Sequence, residues 1–463
     1  MSDLFDIGIV GAGPGGYVAA IRAAQLGAKV ALIERDRIGG VCLNWGCIPT
    51  KAMASSVELL MEIERAEEYG VLVNEPGFDF SKMMSRKDEV VERLVSGVET
   101  LLDARKVEVL SGQGELVSPT RIKISGKSPT EIEARKVIIA TGSVPALPPV
   151  PGLDLPGVIT SDEIVTLEEP PDDLVIVGGG VIGVEFASIF NALGTKVTII
   201  EMLPSILTTV DEELARRHQQ LLRKEGVAIH TKSPLKEVRQ RETTLEVVYE
   251  GPKGGGVITA DLVLISTGRA PYTEGLNLKE IGVNVEKGAV LVDEHMATNV
   301  PCVYAIGDVT GGYMLAHVAS HEGEVAVEHA MGRESAVDYE VVPNCVFTMP
   351  EIAGVGMTEQ EAKEKGIAYK KSRFPFSASG RALAMGQTTG LVKMICDQES
   401  GEVLGLHIMG PHATDMIAEG ALAIQSGATA EDIARTIHAH PTLPEAVREA
   451  ALGQGDGPIH SMT

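Results

Sequence analysis

Cys42 and Cys47 stand five residues apart in the segment Gly39–Lys51, GGVCLNWGCIPTK. A thiolate can exchange with a disulfide or ligate a metal, so the pair has chemistry open to it. In a regular helix, residues five apart have Cα atoms roughly 8–9 Å apart. A disulfide spans at most about 6.8 Å. A bond between the two therefore needs a break in the helix, which Gly46 permits. A small strained loop of this kind suits a reducible disulfide better than a structural one. Zinc ligation is a weaker reading: it needs four ligands, usually at shorter spacing, and no His or Cys cluster stands nearby. Two inert buried thiols remain the third possibility. Cys302, Cys345 and Cys396 stand singly in apolar runs and are expected to be core thiols.

A second constellation lies near the C-terminus: His440-Pro441-Thr442-Leu443-Pro444-Glu445. Thiol–disulfide exchange needs a base, and His titrates near neutrality. A carboxylate on its other nitrogen fixes the tautomer and raises its basicity. The alternative is structural. Thr442-x-x-Glu445 has the form of a capping box opening the helix PEAVREAALG, with His440 on the surface before it. The residues alone leave these readings equal, and Glu445 can serve both. His438 is the weaker candidate, read as a satisfied or solvated side chain.

The elements that would position these groups come from an internal duplication. Residues 6–34, DIGIVGAGPGGYVAAIRAAQLGAKVALIE, align without a gap to residues 173–201, DLVIVGGGVIGVEFASIFNALGTKVTIIE. Each copy has an apolar run, a glycine turn, an Ala-rich helical stretch and a second apolar run ending in Glu: a βαβ unit. Gly11-x-Gly13-x-x-Gly16 and Gly178-x-Gly180-x-x-Gly183 both carry the spacing that lets backbone approach a pyrophosphate at a helix N-terminus. Glu34 and Glu201 stand where a carboxylate can take ribose hydroxyls and repel a 2′-phosphate. No Arg stands at or just after Glu201, so the second site is expected to take NAD rather than NADP. KVIIATG (136–142) and DLVLISTG (261–268) read as the closing strands of the two units.

Composition bounds the rest. At roughly 150 residues per domain, 463 residues suggest about three domains. With 40 basic and 64 acidic residues the net charge is −24, which argues against nucleic acid and anionic membranes as partners. Five cysteines are no secreted disulfide framework. Acidic Asp3 and Asp6 precede an apolar run at Ile7, no signal peptide is read, and no run of 18 apolar residues occurs. A cytoplasmic protein without a membrane span is expected.

The stretch Cys42–Lys51 (CLNWGCIPTK) resembles the redox-active disulfide of the flavin-dependent pyridine-nucleotide disulfide oxidoreductases. The likeness continues through ATGS (140–143), GGGVIGVE (178–185), STGR (266–269), AIGD (305–308), MLAH (314–317) and HAHPTLPE (438–445). It implies FAD on the first unit and NAD on the second. It implies flavin contacts near Gly114, Thr141, Gly142, Ser143, Asp308, Met314, Leu315, Ala316 and His317, and a nucleotide contact near Gly268. It places Lys51 beside the flavin, paired with Glu185. It makes Cys42 the thiol that exchanges with substrate and Cys47 the one that faces the flavin. His440, with Glu445, becomes the base, reaching the site from the other subunit of a homodimer. The closest pattern within the family is that of members oxidising protein-bound dihydrolipoyl groups. Their partners are a lipoyl-bearing dihydrolipoyl acyltransferase or the glycine-cleavage lipoyl protein. Rival readings are an NADPH-dependent glutathione-type reductase and a flavin- and NAD-binding redox sensor or scaffold without turnover. No metal is implied. Three departures stand out: Trp45 where a small apolar residue is usual, Thr50 for a common Ser, and Pro444 where small residues are frequent.

The expected fold is α/β: two Rossmann-like FAD- and NAD-binding domains plus a C-terminal α+β dimerisation domain. The boundaries read as 1–148 for the first part of the FAD domain, 149–270 for the NAD domain, 271–341 for completion of the FAD domain, and 342–463 for the interface domain.

Overall fold

The computed structural model describes residues 4–252 and 254–462; Asp3 and Thr463 lie outside the described residues. The first duplicated segment forms β1 (Leu4–Val10), α1 (Pro14–Gln25) and β2 (Val30–Glu34). Then come α2 (Gly40–Asn44), α3 (Cys47–Glu64) and α4 (Phe80–Ala104). Four strands follow: β3 (Glu108–Ser111), β4 (Gln113–Ser118), β5 (Arg121–Ser125) and β6 (Thr130–Ile139). The sheet order is β3-β2-β1-β6-β5-β4, parallel from β3 to β6 and antiparallel beyond. Successive strand residues point to opposite faces. Ile7, Ile9, Leu32 and Ile138 thus join the core under the helices, while Val10, Ala31, Ile33, Val137 and Ile139 join the core on the other face. Both faces are covered, which is why these strands are apolar throughout rather than alternating.

The second unit repeats the plan. After β7 (Ser143–Pro145) come β8 (Val158–Thr160), β9 (Asp173–Val177), α5 (Val181–Ala192), β10 (Lys196–Ile200), α6 (Glu212–Lys224) and β11 (Ala228–His230). An antiparallel sheet of β12 (Leu235–Arg241), β13 (Thr244–Tyr249) and β14 (Gly256–Ala260) leads into β15 (Leu262–Ile265). The parallel order is β11-β10-β9-β15-β8. β16 (Arg269–Pro271) pairs with β7, so the chain leaves the second unit beside the point where it entered.

The chain then returns to the first sheet. A short hairpin, β17 (Val285–Glu286) and β18 (Ala289–Val290), precedes β19 (Val303–Ala305), which pairs with β6. α7 (Ala316–Ala330) packs on α1.

The last region is an antiparallel sheet with flanking helices. Its order is β20-β21-β24-β23-β22, from β20 (Asn344–Val346), β21 (Glu351–Gly356), β22 (Tyr369–Pro375), β23 (Leu391–Asp397) and β24 (Val403–Gly410). The helices are α8 (Glu359–Glu364), α9 (Gly380–Ala384), α10 (Ala413–Gln425), α11 (Ala430–Arg435) and α12 (Glu445–Leu452). The α+β expectation for this region matches these elements. No helix among the described residues is long and apolar enough to cross a membrane.

Two sequence expectations need correction. Thr442 does not cap α12. Its N–H donates to Glu445 Oε2 at 2.8 Å, but its hydroxyl turns away to Ala439 O at 2.7 Å, and Pro444 holds the cap position. Only half of the reciprocal box forms. The three single cysteines are also not alike. Cys396 is buried in β23, but Cys302 sits half-buried in a turn at φ +72°, and half-buried Cys345 lines the main cavity.

Candidate functional site

One cavity of about 1490 Å³ runs between the two units and the start of the C-terminal sheet. Both glycine turns open onto it. In each, the first glycine adopts a φ that side chains resist: +104° at Gly11 and +113° at Gly178. The third glycine does not line the cavity; it packs. A Cβ at Gly16 would lie 1.8 Å from Gly11 O, and one at Gly183 would lie 2.1 Å from Gly178 O. Gly13 and Gly180, at the N-caps of α1 and α5, have nothing within 4 Å of where a Cβ would stand. That leaves an open cradle at the N-terminus of a 12-residue helix in each unit, suited to an anionic diphosphate.

The two strand-end glutamates do more than sequence indicated. Glu34 accepts N–H bonds from Ala12 (2.7 Å) and Asp36 (2.8 Å). Glu201 accepts them from Gly179 and Leu203, both at 2.6 Å. Each carboxylate therefore staples its glycine turn to the end of the neighbouring strand. A carboxylate has about four acceptor positions, so each keeps capacity for ribose hydroxyls.

Between the cradles lies the cysteine segment. α2 ends at Asn44, and α3 begins at Cys47. The break at Trp45–Gly46, with Gly46 at φ −125°, ψ −102°, supplies the irregularity that bridging requires. Both residues are thiols, and the Cys42 thiol hydrogen-bonds to Cys47. That bond raises Cys42 far above the ordinary thiol range; burial and the neighbouring Cys47 charge add to it. The same bond lowers Cys47 against its burial, and Lys51 lowers it further. Of the two sulfurs, Cys47 is the one whose surroundings favour the thiolate.

Lys51 Nζ lies 2.7 Å from Glu185 Oε2, with Glu185 almost fully buried on α5. Phe347 completes this arrangement: its N–H donates to Glu185 Oε1 at 2.9 Å, and its ring lies 4.4 Å from Lys51 Nζ. Phe347 was not anticipated; it follows β20 in the C-terminal region, and nothing local marks it.

Gly114, Thr141, Gly142, Ser143, Gly268, Asp308, Met314, Leu315, Ala316 and His317 all line the cavity. Ser143 Oγ donates to Asp308 Oδ2 at 2.5 Å, and Thr141 Oγ1 donates to Tyr272 O at 2.6 Å. Arg269, inside the STGR motif but not singled out, donates to Ser143 Oγ (2.7 Å) and Ser143 O (2.9 Å). His317 Nε2 lies 3.0 Å from Pro343 O.

His440 and Glu445 stand apart from this assembly. His440 Nδ1 lies 2.9 Å from Glu445 Oε1, but neither residue lines the cavity, and the His440 side chain is 78% exposed. Burial pushes Glu445 up, but Thr442 N–H and His440 outweigh it and hold the carboxyl below its usual range. The pair is preorganised, with the His440 Nε2 edge free to face another surface. No group of three or more metal-ligating side chains occurs among the described residues.

Residues 5–323 match the family model for pyridine nucleotide-disulphide oxidoreductase, and 342–451 match the dimerisation domain of that family. The mitochondrial dihydrolipoyl dehydrogenase of Pisum sativum is 44% identical, covering 99% of this chain and 93% of its own length. The dihydrolipoyl dehydrogenase of Geobacillus stearothermophilus is also 44% identical, covering 98% and 97%. The solved structure of LpdA from Mycobacterium tuberculosis superposes with a TM-score of 0.90 at 29% identity, covering 96% of this chain and 98% of that one. The chain belongs to the pyridine nucleotide-disulphide oxidoreductase family.

Proposed function

We propose that this protein is an NAD-linked flavoenzyme that oxidises dihydrolipoyl dithiols to the cyclic disulfide. The observation that carries the reading is the position of Cys42 and Cys47 between two stapled, open dinucleotide cradles in one cavity. FAD and NAD are its cofactors, and when bound they supply the two-electron relay from the cysteine dithiol to nicotinamide.

The remaining steps belong to the chain's own side chains. The substrate thiol gives its proton to His440 of the partner subunit, whose other nitrogen is held by a carboxylate. The substrate thiolate attacks Sγ of Cys42 in the oxidised pair, breaking the Cys42–Cys47 bond and releasing Cys47 as thiolate. The second substrate thiol then attacks the mixed disulfide, closing the substrate ring and freeing Cys42. Substrate loses two electrons and the cysteine pair gains them. Cys47 is the better leaving sulfur because Lys51 stabilises its thiolate as it departs. Lys51, oriented by Glu185 and Phe347, supplies positive charge beside that thiolate. In the FAD cradle we assign Gly11, Gly13, Glu34, Gly114, Thr141–Ser143, Asp308 and Met314–His317 to the cofactor; Gly178, Gly180, Glu201 and Gly268 serve NAD. Gly16 and Gly183 act by close packing.

The family's dimerisation domain makes the protein a homodimer, and the exposed His440 edge is then available to the other subunit. We assign the division 1–148, 149–270, 271–341 and 342–463 to FAD, NAD, FAD-completing and interface domains. The physiological partner we propose is a lipoyl-bearing acyltransferase or glycine-cleavage lipoyl protein in the cytoplasm, docking through a basic segment that complements the net charge of −24.

The test is Cys42→Ser. The variant should stay yellow and bind NADH but lose oxidation of dihydrolipoamide. Retained turnover, or a wild-type preference for NADPH and glutathione disulfide, would sink the reading.

A further inference from the structure

Two histidines two residues apart have opposite surroundings. His440 is exposed, with one ring nitrogen held and the other free. The side chain of His438 is only 7% exposed, and both its nitrogens are held: Nε2 lies 2.9 Å from Glu419 Oε1 and Nδ1 lies 2.9 Å from Thr436 O. From Arg435 to Pro441 His438 alone turns inward; its neighbour Ile437 is 96% exposed.

We propose that His438 and Glu419 form a positioning pair that holds the strap carrying His440. The inference rests on the reading of His440 as the thiol base. Residues 436–444 join α11 to α12 without regular structure. A strap of that length places a catalytic ring accurately only when tied on both sides. On the far side the tie is Glu445, which holds Thr442 N–H and His440 Nδ1 together. On the near side it is His438, which reaches across to Glu419 on α10.

The chemistry of the near tie is specific. Both partners of His438 are acceptors, so both contacts are hydrogen bonds only when both nitrogens carry protons. The bond to Glu419 has a carboxylate acceptor, which makes it charge-assisted and stronger than a neutral one. Glu445, the other carboxylate that feels the charge of His438, is already engaged by Thr442 N–H and His440. Arg448 Nε is engaged with Ala434 O at 3.1 Å, and Arg435 is paired with Glu431. Glu419 is therefore the carboxylate committed to His438. His438 does not line the cavity, so it acts through His440 and the Glu445 that holds it.

The experiment uses the FAD-loaded dimer and the variants His438→Ala, His438→Gln, Glu419→Ala, the double alanine variant and His440→Gln. Loss of accurate base placement should lower kcat for dihydrolipoamide oxidation about tenfold to a hundredfold in His438→Ala, with KM for dihydrolipoamide and NAD within about twofold. NADH oxidation by ferricyanide, which needs no thiol base, should be unchanged. Glu419→Ala should cost as much, and the double variant no more than either, because the two act as one unit. His438→Gln keeps a donor toward Glu419 and should recover part of the loss. Additive losses, an unchanged kcat in His438→Ala, or a parallel fall of ferricyanide turnover in His438→Gln would each overturn the proposal. His440→Gln separates the two claims: an active His440→Gln enzyme removes the base itself, whereas an inactive one beside a fully active His438→Ala enzyme removes only the positioning pair.

Discussion

The two dinucleotide units have closely similar backbone angles at their glycine turns and differ in what covers them. In the first, α7 lies so close to the turn that a Cβ at Gly323 would stand 2.7 Å from Gly15 O. α2 crosses the other side: Gly39 N–H donates to Ala12 O at 2.8 Å, and a Cβ at Gly40 would come 2.7 Å from Gly13 Cα. The second turn has no such lid. Ile206 backs Gly179, but Gly180 is exposed and Val181 and Ile182 are half-exposed. One duplicated sequence thus presents two kinds of turn, one covered and one open. The enclosed turn suits a cofactor that stays through turnover, and the open turn suits one that must leave every cycle. The enclosure comes from segments outside the repeat, so duplication supplied the cradle and other parts of the chain supplied its cover.

Gly16→Ala should have the largest effect. The added methyl must displace Gly11 O inside an enclosed turn, and the surroundings leave no direction for relief. The purified variant is expected to be colourless, with absorbance at 450 nm lost and much of the chain insoluble. A yellow, stable Gly16→Ala protein would show that enclosure is not what holds the flavin.

The units also differ in how they are fastened. The first is bound into its own sheet by β19 and α7. The second is tied to the C-terminal sheet by a buried ion cluster: Lys393, 1% exposed on β23, lies 2.9 Å from Asp211 at the start of α6 and 2.7 Å from Glu359. Burial pushes both carboxyls up, but His407 and Lys393 at Asp211, and Lys371, Lys393 and Lys363 at Glu359, outweigh it and hold both below the usual range. Folded values below unfolded ones mean that this stability is present above the ordinary carboxylate range near pH 4 and is lost as pH falls through the depressed values. Lys393→Met leaves Asp211 buried without its cation, while Glu359 keeps Lys371 and Lys363, and should cost about 3–5 kcal/mol. Acid titration followed by circular dichroism and flavin fluorescence should show loosening at higher pH than in wild type, with flavin released last. Simultaneous loss of both signals would mean the two units are fastened alike.

Those features were legible in unequal measure. The turns, the staple positions of Glu34 and Glu201 and the break at Gly46 depend on residues within about thirty positions, and their spacing carries the geometry. The α7 lid, the Phe347 contact to Glu185 and the Lys393–Asp211 pair join residues more than 130 positions apart. No local pattern records such pairings; Lys393 sits in an otherwise apolar strand, where a cation reads as an interruption. Cys345 was misread for the same reason, since an apolar strand does not reveal that one edge meets a cavity. The half-formed box at Thr442 is a competition: the hydroxyl found a carbonyl three residues back, and the Glu445 carboxylate was divided between Thr442 N–H and His440.

Gly183→Ala should be milder than its counterpart. The same methyl meets Gly178 O at 2.1 Å and Ser266 Oγ at 2.7 Å, but the hydroxyl can turn away and the uncovered turn can yield outward. Flavin content should be normal and KM for NAD raised about tenfold, equivalent to about 1.4 kcal/mol of lost binding. Stopped-flow reduction of the enzyme by dihydrolipoamide, which does not use NAD, should be unaffected.

The smallest and most discriminating change is the matched pair Glu34→Gln and Glu201→Gln. Each amide keeps an acceptor oxygen for one staple but turns an NH₂ toward the other backbone N–H, so one hydrogen bond is lost in each unit. A neutral hydrogen bond is worth about 0.5–1.5 kcal/mol net, and one to a charged group about 1.5–3. In the enclosed unit that loss is spread over many other contacts, and flavin should survive desalting at full occupancy. In the open unit the staple holds much of the turn's shape, so KM for NAD should rise about threefold to tenfold. Removing the negative charge at Glu201 also removes the repulsion of a 2′-phosphate, so discrimination against NADP should fall. Flavin loss from Glu34→Gln with unchanged NAD kinetics in Glu201→Gln would reverse the assignment of which turn depends on its cover and which on its staple.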